Sequence, residues 1–216
     1  HRLSRALSIG DALPPFPDGP YLYYDRYRDG GEHAIACRQP RSGGEEEILL
    51  DGDAESHGHD FFQLGEAQHS PDHRLLGWSA DTAGSEFETI RIRDLATGTD
   101  LDEVKDTTGD LVWLSDSSGF LYVRLDENHR GNRVYLHRLG TPAGEDALLY
   151  EESDTGFYVS IDQSHDGAYG LIDIHDHETS EVRIVDLARP GIPRLIEART
   201  TGLRYDVEHH DGRFVI

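Results

Sequence analysis

A short turn rich in Asp, Ser and Gly recurs four times in this chain of 216 residues, each time leading into an apolar strand. It reads Ser-Pro-Asp-His at Ser70–His73, Ser-Asp-Ser-Ser-Gly at Ser115–Gly119, Ser-His-Asp-Gly at Ser164–Gly167 and His-His-Asp-Gly at His209–Gly212. The turn aspartates Asp72, Asp116, Asp166 and Asp211 are spaced by 44, 50 and 45 residues. A period of this length marks a repeat architecture, in which each unit must bury its faces against its neighbours. No other property of the chain narrows the choice of fold as much.

Each unit has internal structure. Just after the turn comes an apolar strand: Leu75-Leu76-Gly77-Trp78, Phe120-Leu121-Tyr122-Val123, Tyr169-Gly170-Leu171-Ile172 and Phe214-Val215-Ile216. About twenty residues past the aspartate comes a strand alternating apolar and polar residues, at Thr89–Leu95, Arg133–Leu139 and Glu181–Leu187. A period of two is the mark of a strand with one face turned inward. Ala96-Thr97-Gly98, Gly140-Thr141-Pro142 and Arg189-Pro190-Gly191 then break the chain. No long stretch of helical period separates these strands, so the chain reads as all-β.

Four strands in about 45 residues make one β-propeller blade. The segments Tyr21–Tyr27, His33–Arg38 and Glu46–Asp51 supply three strands of an earlier, less regular unit. The expectation is therefore a partial β-propeller of about four four-stranded antiparallel blades. Residues 1–19 are expected to form an N-terminal segment or linker, and the blades to span roughly 20–68, 69–112, 113–160 and 161–205, with the start of another at 206–216. The chain ends inside the strand Arg213–Ile216 and contains no Met. An open propeller edge invites pairing, so the chain reads as a piece of a larger protein, and self-association through that edge is an expected liability.

Hydrophobic residues make up 36% of the chain, enough for a core of stacked sheets, and no apolar run reaches the roughly 18 residues of a spanning helix. No membrane role is expected. Cys37 is the only cysteine, which excludes an internal disulfide and favours the reducing cytoplasm. The 42 acidic residues against 20 basic ones give a net charge of −22, with Lys105 the only lysine. Such a field disfavours nucleic acid and anionic membrane as partners and attracts cationic ligands, basic peptides among them. The same charge also serves plain solubility.

Motifs for bond-making chemistry are missing from these residues. Gly77-Trp78-Ser79-Ala80-Asp81 has Asp where a nucleophile elbow needs its second Gly, and there is no phosphate-binding Gly loop and no H-E-x-x-H. The histidine pairs His57/His59, His175/His177 and His209/His210 have ligand chemistry, but solvent-facing or loop histidines in a chain with 13 of them explain such pairs better. No metal and no cofactor is expected. The connection Arg124–Arg133 is dense in charges; Asp126, Glu127 and Arg130 in it are candidates for gating or for docking another domain, the alternative being an ordinary hairpin loop.

The residues Tyr122–Arg130 and Val134–Thr141 resemble the propeller of the prolyl oligopeptidase family of serine peptidases, in its oligopeptidase B branch. Gly58–Gly65, Ser70-Pro71-Asp72 with Leu75-Leu76-Gly77, Asp81–Glu86, Tyr150–Glu152, Phe157–Ser160 and Thr179–Arg183 fit the same template, so the resemblance covers about Pro20 to Ile216. It implies a seven-bladed propeller partnered by an α/β-hydrolase domain that carries the Ser, Asp and His of the triad. It also implies cleavage of short peptides after Arg or Lys, with the propeller limiting access. No catalytic residue of that family maps onto this chain, which by itself is expected to be inactive. The competing reading is a stand-alone propeller module that binds a protein or glycan, since the fold alone does not choose between them.

Overall fold

The computed structural model describes residues 14–210 and 212–216, and these form a succession of antiparallel sheets. The first sheet holds β1 (Phe16–Asp18), β2 (Tyr21–Arg26), β3 (Ile35–Pro40) and β4 (Glu47–Asp51) in sequence order. One turn of helix, α1 (Gly52–Glu55), follows; Asp51 Oδ1 accepts from Ala54 N at 3.2 Å and so caps it.

The next sheet has seven strands: β5 (Gln63–His69), β6 (Leu75–Asp81), β7 (Glu88–Asp94), β8 (Thr99–Trp113), β9 (Gly119–Leu125), β10 (Gly131–Arg138) and β11 (Ala147–Glu151). A third sheet holds β12 (Tyr158–Gln163), β13 (Tyr169–His175), β14 (Ser180–Asp186) and β15 (Arg194–Glu197), and the hairpin β16 (Glu208–His210) and β17 (Arg213–Val215) starts another.

The seven-stranded sheet is two four-stranded units sharing one strand. Thr99–Thr107 of β8 pairs with β7, whereas Thr107–Trp113 pairs with β9. The bend between the halves is made by Asp106 at φ 60° and Gly109 at φ 94°, conformations open to glycine and to few other residues. Thr107 holds the bend: its buried hydroxyl donates to Glu88 O at 3.0 Å and accepts from Gly109 N at 3.1 Å. The outermost strand of one unit thus runs unbroken into the innermost strand of the next. The architecture is a partial β-propeller whose units begin with β1, β5, the second half of β8, β12 and β16.

The recurring turn sits one strand inside each unit, joining its first strand to its second. Asp72 Oδ1 accepts from Ser70 Oγ at 2.6 Å and Arg74 N at 3.2 Å; Asp166 Oδ1 accepts from Ser164 Oγ at 2.8 Å and Ala168 N at 3.2 Å. In Asp116 the same oxygen takes Ser118 N and Oγ. The residue after the aspartate adopts the left-handed region each time: His73, Ser117, Gly167 and Gly212 have φ of 61°, 58°, 72° and 74°. Asp211 itself lies outside the described residues.

Apolar side chains from neighbouring units meet in three clusters. Leu50, Leu76 and Trp78 centre one between the first two units; Ile90, Trp113 and Phe120 another; Leu121, Val134, Ile161 and Ile172 the third. Gly77 and Gly170 mark close approaches between units, since a Cβ would press on Leu111 at 2.5 Å and on Leu121 at 2.7 Å respectively. Among the described residues no helix is long and apolar enough to cross a membrane.

Candidate functional site at the inner strands

The innermost strands β5, β8 and β12 carry a run of carboxylates. Glu66 and Asp110 each sit six residues before their turn aspartates, and Asp162 sits four before its own. A fourth, Glu88 at the head of β7, reaches in beside them. Ser79, fully buried, donates to Glu88 Oε2 at 2.6 Å and accepts from Glu66 N at 3.1 Å. A Cβ at either Gly65 or Gly109 would collide with the Glu88 carboxylate, so two glycines on adjacent inner strands make room for it.

Desolvation pushes the Glu66 pKa above the usual carboxylate range, and the charges of Asp110, Asp162 and Glu88 add to the rise. Asp110 is raised by burial and by Asp162, against a hydrogen bond from Thr108. Glu88 is raised by burial, opposed by Ser79, and raised further by Asp110 and Asp81. These four groups therefore form one repelling cluster. Near the turn end of the same strands, Phe16, Asp18, His69, Trp113, Gln163 and Asp166 border a cavity of about 630 Å³.

The sign of the cluster's effect on stability follows from the raised values. A carboxylate whose pKa rises on folding stabilises the fold fully below its unfolded value, and that contribution is lost as pH rises through the folded value. Glu66→Gln and Asp110→Asn should each raise the unfolding midpoint at pH 7 by up to about 3 °C. The gain should vanish in thermal scans well below pH ~4, where these carboxyls of the parent are protonated in the folded and unfolded states alike. A gain that persists unchanged in acid would show that charge repulsion is not its source.

The structure brings Asp126 and Arg130 together in the β9–β10 loop but puts Glu127 beyond them on the surface. Asp126 Oδ1 accepts from Asn128 N at 2.8 Å and Arg130 N at 3.0 Å, while its Oδ2 takes Arg130 Nε at 3.2 Å. Burial would raise the Asp126 pKa, yet these donors outweigh it and hold the carboxylate low. Arg130 Nη1 continues to Asp154 O at 2.8 Å, tying the loop to the β11–β12 connection. Asp126→Ala should cost about 1–2 kcal/mol in urea unfolding, and Glu127→Ala less than about 0.5. Equal losses would mean that Asp126 anchors the loop no more than the surface charge of Glu127 does.

Among the residues considered as metal ligands, His209 Nδ1 is held by Asp166 Oδ2 at 2.6 Å and His175 Nδ1 lies 3.0 Å from Asp173 Oδ2, while His57, His59 and His177 are exposed. Sequence reasoning found the net charge but not the inner carboxylates. Their one signal was the repeated offset of Glu66 and Asp110 from the turn.

Residues 2–216 match the family model described as prolyl oligopeptidase, N-terminal beta-propeller domain. A curated relative, dipeptidyl aminopeptidase BI of Pseudoxanthomonas mexicana, is 34% identical over 224 residues, covering 95% of this chain and 31% of its own length. Among solved structures, oligopeptidase B from Leishmania major superposes with a TM-score of 0.88 at 30% identity, over 94% of this chain and 30% of that one. Oligopeptidase B from Trypanosoma brucei, in a closed form with covalently bound antipain, gives 0.84 at 32% identity, over 93% and 29%. The chain spans about a third of the length of the proteins it matches.

Proposed function

The chain belongs to the N-terminal β-propeller family of the prolyl oligopeptidases, and from that premise we propose that it is the non-catalytic, access-limiting part of a serine oligopeptidase cleaving short peptides after Arg or Lys. An α/β-hydrolase domain of the same protein would carry the nucleophile, and this chain alone would hydrolyse nothing. The observation that carries the reading is the convergence of Glu66, Asp110 and Asp162 from three successive inner strands, with Glu88 behind them. A negative inner rim raises the local concentration of cationic peptides and steers them inward, an effect that salt screens.

Asp126, Glu127 and Arg130 are proposed as part of the entrance or domain interface, with the exposed Glu127 as the contacting group and the other two shaping its loop. The buried Cys37, whose thiol burial pushes up to about 12, is consistent with a reducing cytoplasm. Exposed Val215 and Ile216 would serve contact with further propeller or with a second copy.

The test is kcat/KM of the full-length protein for an Arg-containing peptide and its neutral analogue across a salt series. The Arg substrate should lose rate more steeply as salt rises. Combining Glu66→Gln, Asp110→Asn and Asp162→Asn should flatten that slope. Equal slopes for both substrates would refute steering, and a full-length protein without peptidase activity would favour a binding module.

A further inference from the structure

We infer that Asp18, His69 and His73 form a site for one divalent transition-metal ion of the Zn²⁺ class, clamping β1 to the β5–β6 turn. The ligating atoms of these three side chains lie within 4.8 Å of one another, and no other such group occurs among the described residues. They come from two units. Asp18 ends β1, while His69 and His73 flank the turn Ser70-Pro71-Asp72, which holds their rings 5.3 Å apart and 17° from parallel.

The backbone is arranged around His73. Its φ of 61° is a region where a residue bearing a Cβ is strained, and at the equivalent position the later repeats have Ser117, Gly167 and Gly212. Opposite it, Gly19 has φ 48°, and a Cβ there would collide with His73 Nε2. A glycine directly after Asp18 thus lets the imidazole lie on the chain beside the carboxylate. The other ring nitrogen, Nδ1, is 2.8 Å from the hydroxyl of buried Tyr23. That contact orients the ring so that Nε2 is the ligand atom, the way outer partners orient metal-bound histidines.

The repeat itself does not require these residues. The positions equivalent to His69 are Trp113, Gln163 and Glu208, so the other units lack the pair of imidazoles. His69 Nε2 is 2.7 Å from Asp18 Oδ2. Two bonds of about 2.0–2.2 Å at a tetrahedral ion would widen that contact by only about 0.7 Å. Asp18 is exposed and, with His69, borders the 630 Å³ cavity, so an ion has an entry path and room for water as its remaining ligand. Arg38 is the nearby cation: it donates to His73 O at 2.6 Å, but Glu47 takes its Nε at 2.7 Å and offsets its charge. Two imidazoles and one carboxylate suit Zn²⁺, Co²⁺ or Ni²⁺, whereas Ca²⁺ and Mg²⁺ need more oxygen donors.

The experiment is titration of the full-length, chelator-treated protein with Zn²⁺, and with Co²⁺ as a spectroscopic probe, against Asp18→Asn and His73→Asn. Asn tolerates the left-handed backbone of position 73, and Asp18 is exposed, so both variants should fold. One Zn²⁺ should be lost, or bound at least tenfold more weakly, in each variant. The Zn²⁺-induced rise in unfolding midpoint and the cobalt d–d band should go with it, while His177→Asn changes neither. Binding that is equal in parent and variants, or that is lost only in His177→Asn, would overturn the assignment. If one variant misfolds by circular dichroism, the other decides.

Discussion

His137→Ala is expected to lower the free energy of unfolding by about 3–5 kcal/mol, because it strips a buried imidazole from between two carboxylates. The His137 side chain is completely buried; Nδ1 meets Asp146 Oδ1 at 2.8 Å and Nε2 lies 3.1 Å from Asp102 Oδ2. Asp146 is almost equally buried and also accepts from Tyr122 OH at 2.8 Å, and Asp102 accepts from Gly140 N at 2.8 Å. Without the ring, which packs against Phe120, Asp146 keeps Tyr122 OH as its side-chain donor, and a cavity opens where the imidazole was. For a chain of this size the loss corresponds to a midpoint shift on the order of 10 °C. Asp146→Asn added to His137→Ala should recover part of it by removing the unpaired charge. A loss below about 1 kcal/mol in urea unfolding would mean the carboxylates find water instead.

His137 also shows where sequence reasoning stops. Alternation along Arg133–Leu139 identifies the strand and correctly sends Val134 and Leu136 inward. The same alternation assigns His137 to the opposite, polar face. In a propeller both faces of a middle strand are covered by neighbouring units, so that polar residue is buried too and needs partners. They lie 35 and 9 residues away, a distance no local pattern reports.

The first strands of the units were hard to read for a related reason. β1 is three exposed residues around Pro17, and β5 is polar and largely exposed along the inner edge, so neither shows alternation. The turns were legible because their chemistry is local, with Ser70, Asp72 and their equivalents bonding within five residues. The acidic rim was not, because its members share a place only after the sheets stack.

The same stacking makes Arg199 the second critical residue, since it joins the third unit to the fourth. Its guanidinium reaches Glu152, just past β11, at 2.5 Å and Glu181 on β14 at 3.3 Å, and lies 4.2 Å from the ring centre of Phe157. Both carboxylates are buried to within 7% exposure. Burial alone would raise the Glu152 pKa, but Arg199, Asp154 N and Tyr150 OH overcome this and hold it low. Arg199→Met keeps the packing on Phe157, leaves Glu152 without a cation and Glu181 with Arg183 alone at 2.9 Å, at a cost of about 3 kcal/mol near pH 7. Arg199→Lys should restore only part, because one ammonium cannot span both acids as the planar guanidinium does. The pH dependence gives the sharper reading. A carboxylate with a depressed folded pKa contributes stability above its unfolded value, about 4.3, and loses it as pH falls through the folded one. The gap between Arg199→Met and the parent should therefore narrow as pH drops from about 5 toward 3, where Glu152 takes up a proton in the variant. A gap that stays constant across that range in urea titrations would assign the loss to packing against Phe157 and not to the buried charges.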